Sequence, residues 1–162
     1  MFDLRTALPS LLSRVGARSA DLFAARELGR HDVTLPMYRV LATLARHDDQ
    51  RLGDLAGLAE LEVSTLSRLI GTMQQRRLVS RRRSGKDARA VRIRITDPGR
   101  ALASKLIAAA TGYEAAMTRS LGPRQVQELR RALAQLDDSI SALEAEPANG
   151  ARARAARRSS AA

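Results

Sequence analysis

Residues 51–82 read RLGDLAGLAELEVSTLSRLIGTMQQRRLVSRR. Leu52, Leu55, Ala56 and Ala59 share one side at helical spacing and predict a short helix over about Arg51–Ala59. Leu66, Leu69, Ile70 and Met73 do the same for a second helix over about Val63–Arg76, leaving Ser64, Thr65, Ser67, Arg68, Thr72 and Gln75 on its outer side. Only Glu60, Leu61 and Glu62 separate the two, so they must cross steeply in a helix-turn-helix.

Beyond Arg77 the apolar period changes from helical to two. Val91, Ile93 and Ile95 alternate with Arg92, Arg94 and Thr96, facing a partner strand over Leu78–Arg83, with the polar turn SGKDARA between them. A hairpin directly after the second short helix is a wing. The fold class expected is mainly α with a small β-hairpin wing: a winged helix-turn-helix over 34–97.

Upstream, Leu4, Leu8, Leu11, Val15 and Leu22 predict a long first helix from about Arg5 to Leu28, broken by GRHDVT. Thr34 as cap, Pro36 in the first turn and Met37, Val40, Leu41 and Leu44 as apolar face predict a second helix ending near Arg46, with HDDQ as its exit loop. Downstream, Asp97 and Pro98 restart helix, continued by Leu102, Leu106, Ala109, Tyr113 and Met117. After the Gly122-Pro123 break, Val126, Leu129, Leu133, Leu136, Ile140 and Leu143 form a narrow heptad seam. Residues 1–33 and 98–146 are therefore expected to form a helical dimerisation region, and the Ala/Arg/Ser tail over 147–162, which has no apolar period, to be disordered.

The 162 residues carry a formal charge of +11 that is strongly localised. Arg76–Arg94 holds nine Lys or Arg against the single acid Asp87, and the tail holds four Arg and no acid, so the remainder is close to neutral. A basic stripe on a neutral body is the footprint of a polyanion binder. With two Phe, two Tyr and no Trp, there is little with which to stack single-stranded bases. The absence of cysteine excludes disulfides, thiolate metal sites and thiol redox switches. His31 and His47 have no partners at metal-ligand spacing, and no catalytic constellation stands out. Neither enzyme activity nor a cofactor or metal is expected. No stretch reads as an export signal or membrane span, and a cytoplasmic protein is the expectation.

LPMYRVLATLARH, the run from Arg51 to Arg82, KDARAVRIRIT and DPGRAL together resemble the MarR family of bacterial transcriptional regulators, in order and spacing, up to about residue 145. The resemblance implies a two-fold dimer with one winged helix per subunit on a pseudo-palindromic site, many relatives being repressors released by small, often aromatic or anionic, effectors. It also makes Asp87 the brace of the wing arginines. Family members commonly have Gly where this chain has Arg77, so the second short helix lacks the residue best suited to a left-handed cap.

The expected partner is double-stranded DNA. A major groove about 12 Å wide admits one helix, whose N-terminal residues reach base edges. Ser64, Thr65, Ser67 and Arg68 occupy those turns, with Thr72 one turn on, and Arg68 suits a bidentate contact to guanine. Alternatively, Ser64 is only a helix cap and Thr65 a packing residue. In the wing, Arg89 with Lys86 is expected to enter the minor groove, with Arg82 among the arginines that alternate around the hairpin. An effector pocket is expected where the first, second and fifth helices meet the winged module, near Arg18, His31, Tyr38 and Tyr113, although each of these reads more readily as an ordinary core or surface residue. An effector-independent regulator or activator, and a non-specific architectural DNA- or RNA-binding protein, are the competing readings.

Overall fold

The computed structural model describes residues 3–83 and 91–145. Lys86, Asp87, Arg89 and the basic tail lie outside the described residues. α1 spans Leu8–Phe23, with Pro9 in its first turn, where a missing N–H leaves no bond unmade. Its expected start at Arg5 is displaced because Asp3 closes a separate turn: Oδ1 accepts from the Arg5 N–H at 2.9 Å and its carbonyl from the Ala7 N–H at 2.9 Å. Helical turns continue past Phe23 as a π turn over Ala24–Leu28 and a 3-10 turn over Gly29–His31. Asp32, in left-handed backbone at φ 51°, ends the run.

α2 is Leu35–Arg46, capped by Thr34, whose Oγ1 accepts from the Met37 N–H at 3.4 Å. Its buried face is Met37, Val40, Leu41 and Leu44, as the periodicity predicts. α3 is Leu52–Leu58 and α4 is Val63–Gln75. Leu66, Ile70 and Met73 are fully buried, while Leu69 packs half-buried at the edge of the same apolar cluster. Burying one such side chain stabilises by roughly 1.5–3 kcal/mol, so this face fixes the rotation of α4 about its own axis.

Both short helices end in the same device. After α3, Glu60 takes φ 54°, and the N–H groups of Glu60 and Leu61 return to the carbonyls of Gly57 and Ala56 at 3.2 and 2.9 Å. After α4, Arg77 takes φ 57°, and Arg77 and Leu78 return to Gln74 and Met73, both at 2.9 Å. This is the double-bonded left-handed cap that glycine serves best. The exit geometry of α4 is therefore enforced without a glycine, against the inherent cost of left-handed backbone at a residue with a Cβ.

The wing is broader than a hairpin. β2 (Val79–Arg83) and β3 (Val91–Ile95) pair antiparallel, and the expected loop after α2 supplies a further strand, β1 (Gln50–Arg51), giving the order β1-β3-β2. Gln50 opposes Ile93 and Arg51 opposes Arg92. Two residues are too few to show alternation, which is why periodicity cannot reveal this strand. α5, Asp97–Met117, begins at the hinge of the module. Thr96 Oγ1 accepts from the Gly99 N–H at 3.1 Å and donates to the Arg77 carbonyl at 2.6 Å. A Cβ on Gly99 would sit 2.0 Å from the Leu78 carbonyl oxygen, so only glycine lets α5 approach the α4–β2 junction this closely.

The chain divides into two compact units, Met1–Ala115 and Ala116–Ala162. The first contains the apolar cluster that joins Phe23 and Leu28 to α2, α3, α4, Ile93 and Leu106. In the second, α6 spans Pro123–Ala145, begun by the Gly122 N–H donating to Gln125 Oε1 at 2.8 Å. Its heptad seam is open, with Leu129, Leu133, Ile140 and Leu143 at 47, 40, 50 and 68% exposure.

Two substitutions check the α4–α5 junction by thermal or urea unfolding. Gly99→Ala should cost about 3 kcal/mol, because the Leu78 backbone cannot retreat. Arg77→Gly should raise the melting temperature by about 2–4 °C through relief of left-handed strain; a fall would mean the arginine stabilises that turn.

Candidate nucleic-acid interface

With Leu66, Ile70 and Met73 turned inward, Ser64, Thr65, Arg68, Thr72 and Gln75 are exposed on α4, and Ser67 is half-buried beside them. The first helical turns thus present two hydroxyls and a guanidinium to solvent. Ser64 is not the cap: Glu62 occupies that position, with extended backbone and no side-chain capping bond. Thr65, being exposed, is not a packing residue either. The leading N–H groups of α4 consequently lack a side-chain acceptor, which favours an anion at this end.

The sheet adds a second cationic feature. Residues directly opposed across antiparallel strands share a face. Arg51 opposes Arg92, and Arg92 opposes Arg82, so three arginines stand in register across the three strands, with Arg94, opposite Ser80, on the same face. Like charges so placed repel. One acid offsets them: Asp49 Oδ1 accepts from Arg92 Nε at 3.0 Å, and the Asp49 carbonyl accepts from Arg92 Nη2. The Arg92 hydrogen bond, aided by the charges of Arg92, Arg94 and Arg82, holds the Asp49 carboxyl below its usual range. Neighbouring Asp48 pins the base of the wing, Oδ1 accepting from the Ile95 N–H at 2.9 Å and Oδ2 from Arg100 at 3.1 Å. Arg92 is therefore committed to Asp49, while Arg51, Arg82 and Arg94 are exposed. Arg51, Asp48 and Asp49 were not among the expected site residues, since only the register across β1 brings them to this face.

Of the residues expected near an effector, Tyr38 and Tyr113 come together through Phe23, at ring-centroid distances of 5.2 and 5.3 Å. The Tyr113 hydroxyl donates to the Ser19 carbonyl at 3.0 Å. Burial pushes the Tyr38 phenol up, so it stays neutral in the physiological range. Arg18 and His31 are exposed and not part of this ring cluster. A shallow recess of about 240 Å³ is lined by Tyr38, Arg39, Thr43, Leu58 and Glu60 among others, with an Arg39–Glu60 ion pair of 3.1 Å. Among the described residues, no three acids or histidines are grouped to hold a metal ion, and no helix is long and apolar enough to cross a membrane.

A helix-turn-helix followed by a strand pair, with a polar helix face outward and arginines along the sheet, is a winged-helix DNA-binding module. Residues 33–91 match the model of the MarR family. YsmB, an uncharacterized HTH-type transcriptional regulator of Bacillus subtilis (strain 168), is 28% identical over 113 residues, which cover 70% of this chain and 77% of that protein. The crystal structure of the MarR family transcriptional regulator SPO1453 from Silicibacter pomeroyi DSS-3 is 28% identical, with a TM-score of 0.74 over 86% of this chain and 99% of that one. A variant of MarR from E. coli, complexed with operator DNA, shares the fold at 19% identity, with a TM-score of 0.74 over 80% of this chain and 92% of its own. Over residues 33–91 the chain is similar to the MarR family, and its fold is that of solved MarR-family transcriptional regulators. The relatives and solved structures it resembles are transcriptional regulators, one of them complexed with operator DNA.

Two outcomes follow from the arginine row. Arg51→Ala and Arg82→Ala should each lower the slope of log affinity against log salt by about 0.9, the signature of one lost phosphate contact, whereas Arg92→Ala should change it less. Asp49→Asn should lower the melting temperature at pH 7. A depressed carboxyl stabilises above its unfolded pKa of about 4 and loses that contribution as pH falls through the folded value, so the gap to wild type should close on acidification. A pH-independent gap would show that the Arg92 pairing is not its source.

Proposed function

We propose that the protein is a dimeric repressor that holds a pseudo-palindromic operator through α4 and the wing. One observation carries this reading: the exposed face of α4 carries Ser64, Thr65, Arg68, Thr72 and Gln75, while its opposite face is locked into the core. Arg68 reads guanine; Ser64, Thr65, Ser67 and Thr72 contact bases or phosphates around it. Arg82 engages the phosphate backbone, and Arg89 and Lys86, with Asp87 as brace, complete the grip at the wing tip, outside the described residues. Residues 34–97 form the DNA-binding region on this reading.

Residues 1–33 and 98–146 provide dimerisation. Support comes from apolar side chains left in water: Leu8, Val15 and Leu22 on α1 are 50, 61 and 43% exposed, and Leu129, Leu133, Ile140 and Leu143 of the α6 seam are exposed as well. Apolar surface in such quantity is what a second copy would cover. In the cytoplasm, a small aromatic anion settling near Tyr38 and Tyr113, with Arg18 or His31 as counter-charge, would release DNA by changing the spacing of the two recognition helices. The tyrosine cluster around Phe23 supports an aromatic ligand there.

Selection of bound duplexes from a random pool tests the central claim, and two mirrored half-sites about one helical turn apart are expected. On the selected duplex, Arg68→Ala should weaken binding by roughly 1–3 kcal/mol and flatten the preference over scrambled DNA. Equal losses on both duplexes would remove Arg68 from base recognition.

A further inference from the structure

Nine basic residues crowd Arg76–Arg94, yet the first of them does not point freely into solvent. Arg76 caps the C-terminus of α4, its own N–H returning to the Thr72 carbonyl at 3.2 Å. Its side chain, 28% exposed, lies against the end of the first helical stretch. Nη2 donates to the His31 carbonyl at 3.0 Å, and Nη1 donates to the Asp32 carbonyl. Nη1 also reaches Met37 Sδ at 3.8 Å and lies 3.7 Å from Asp32 Oδ2.

The chemistry of this contact is specific. Carbonyls at a helix C-terminus lack intrahelical donors and carry the negative end of the helix dipole. A planar guanidinium with two divergent N–H groups satisfies two such carbonyls at once, which an ammonium cannot do in the same geometry. The Asp32 carboxylate adds little, since its side chain is 98% exposed and the separation is long. The apolar cluster beneath these elements resists separation and fixes the roll of α4, but being non-directional it constrains the tilt of the helix less closely. The two Arg76 bonds are directional and fix an angle.

We propose that Arg76 is a positioning residue: it makes no contact with DNA, and by clamping the end of α4 to the His31 and Asp32 carbonyls it sets the angle at which α4 presents Arg68 to the groove. The inference rests on the DNA-reading role given to α4 under the proposed function. It also makes the clamp the route by which a shift of the first helical stretch is felt by α4.

The test uses the full chain and the duplex recovered by selection, with affinity followed from 50 to 200 mM salt and binding-competent protein counted by stoichiometric titration. Arg76→Ala and Arg76→Lys should each bind about tenfold more weakly, the scale of one charge-assisted hydrogen bond, with the salt slope unchanged and discrimination against scrambled DNA reduced. Asp32→Ala should stay within about twofold of wild type, because the carbonyl and not the carboxylate is the partner. A slope lower by about 0.9 in Arg76→Ala would make the guanidinium a phosphate contact and overturn the proposal. Full activity of Arg76→Lys would reduce the role to charge. A lowered melting temperature and competent fraction, with unaltered affinity in that fraction, would reduce it to stability. If wild type shows no salt-dependent duplex binding, the reading of α4 itself fails, an outcome distinct from these.

Discussion

The outer face of α4 can be presented to a partner only because Leu66, Ile70 and Met73 leave the helix no freedom to roll. These three are fully buried in a cluster shared with α2 and α3, and truncating such a side chain typically costs 2–5 kcal/mol. Rotation of α4 by one residue would expose one of them and bury Arg68 or Thr72 without a partner. The polar face is thus a consequence of the apolar one, and its chemistry is held in place by the packing beneath it.

Rotation about the axis is one degree of freedom; tilt and the path of the chain beyond the helix are others, and polar contacts govern those. At the C-terminus of α4, the left-handed turn at Arg77 redirects the chain into β2, and Thr96 bonds that turn to the start of α5. Gly99 then allows α5 to lie directly on the Leu78 backbone. Asp48 performs a similar service at the base of the sheet, joining the loop after α2 to Ile95 and Arg100. The module therefore combines a non-directional core with a small set of directional ties placed where elements begin and end.

The sequence discloses features that repeat and conceals those that occur once. Apolar spacing reveals α2, α4, β3 and the α6 seam to within a residue or two, because each repeats apolar side chains at a regular interval, whether the structure buries them or, in α6, leaves them exposed. Thr34 was legible as a cap from its position before Leu35 and Pro36. β1 was not, being two residues long, and with it went the alignment of Arg51 with Arg92 and Arg82. Asp48 and Asp49 looked like polar loop residues, since their partners lie more than forty positions away. Arg77 shows the opposite difficulty: lacking glycine, it argued against a left-handed cap that the tertiary structure imposes regardless.

Charge illustrates why register matters more than composition. The concentration of arginine between residues 76 and 94 invites the view that all of it faces a polyanion, but Arg92 is bonded to Asp49 and Arg76 to backbone carbonyls. Two of the basic residues in that stretch are thus engaged within the protein, whereas Arg51, outside it, joins the exposed row. A row of like charges is unfavourable in the free protein and becomes favourable only beside negative charge. Its partial neutralisation by Asp49 lets the sheet hold such a row while Arg51, Arg82 and Arg94 stay available. The electrostatic footprint is set by which arginines the fold leaves unengaged, and the count in the sequence only bounds it.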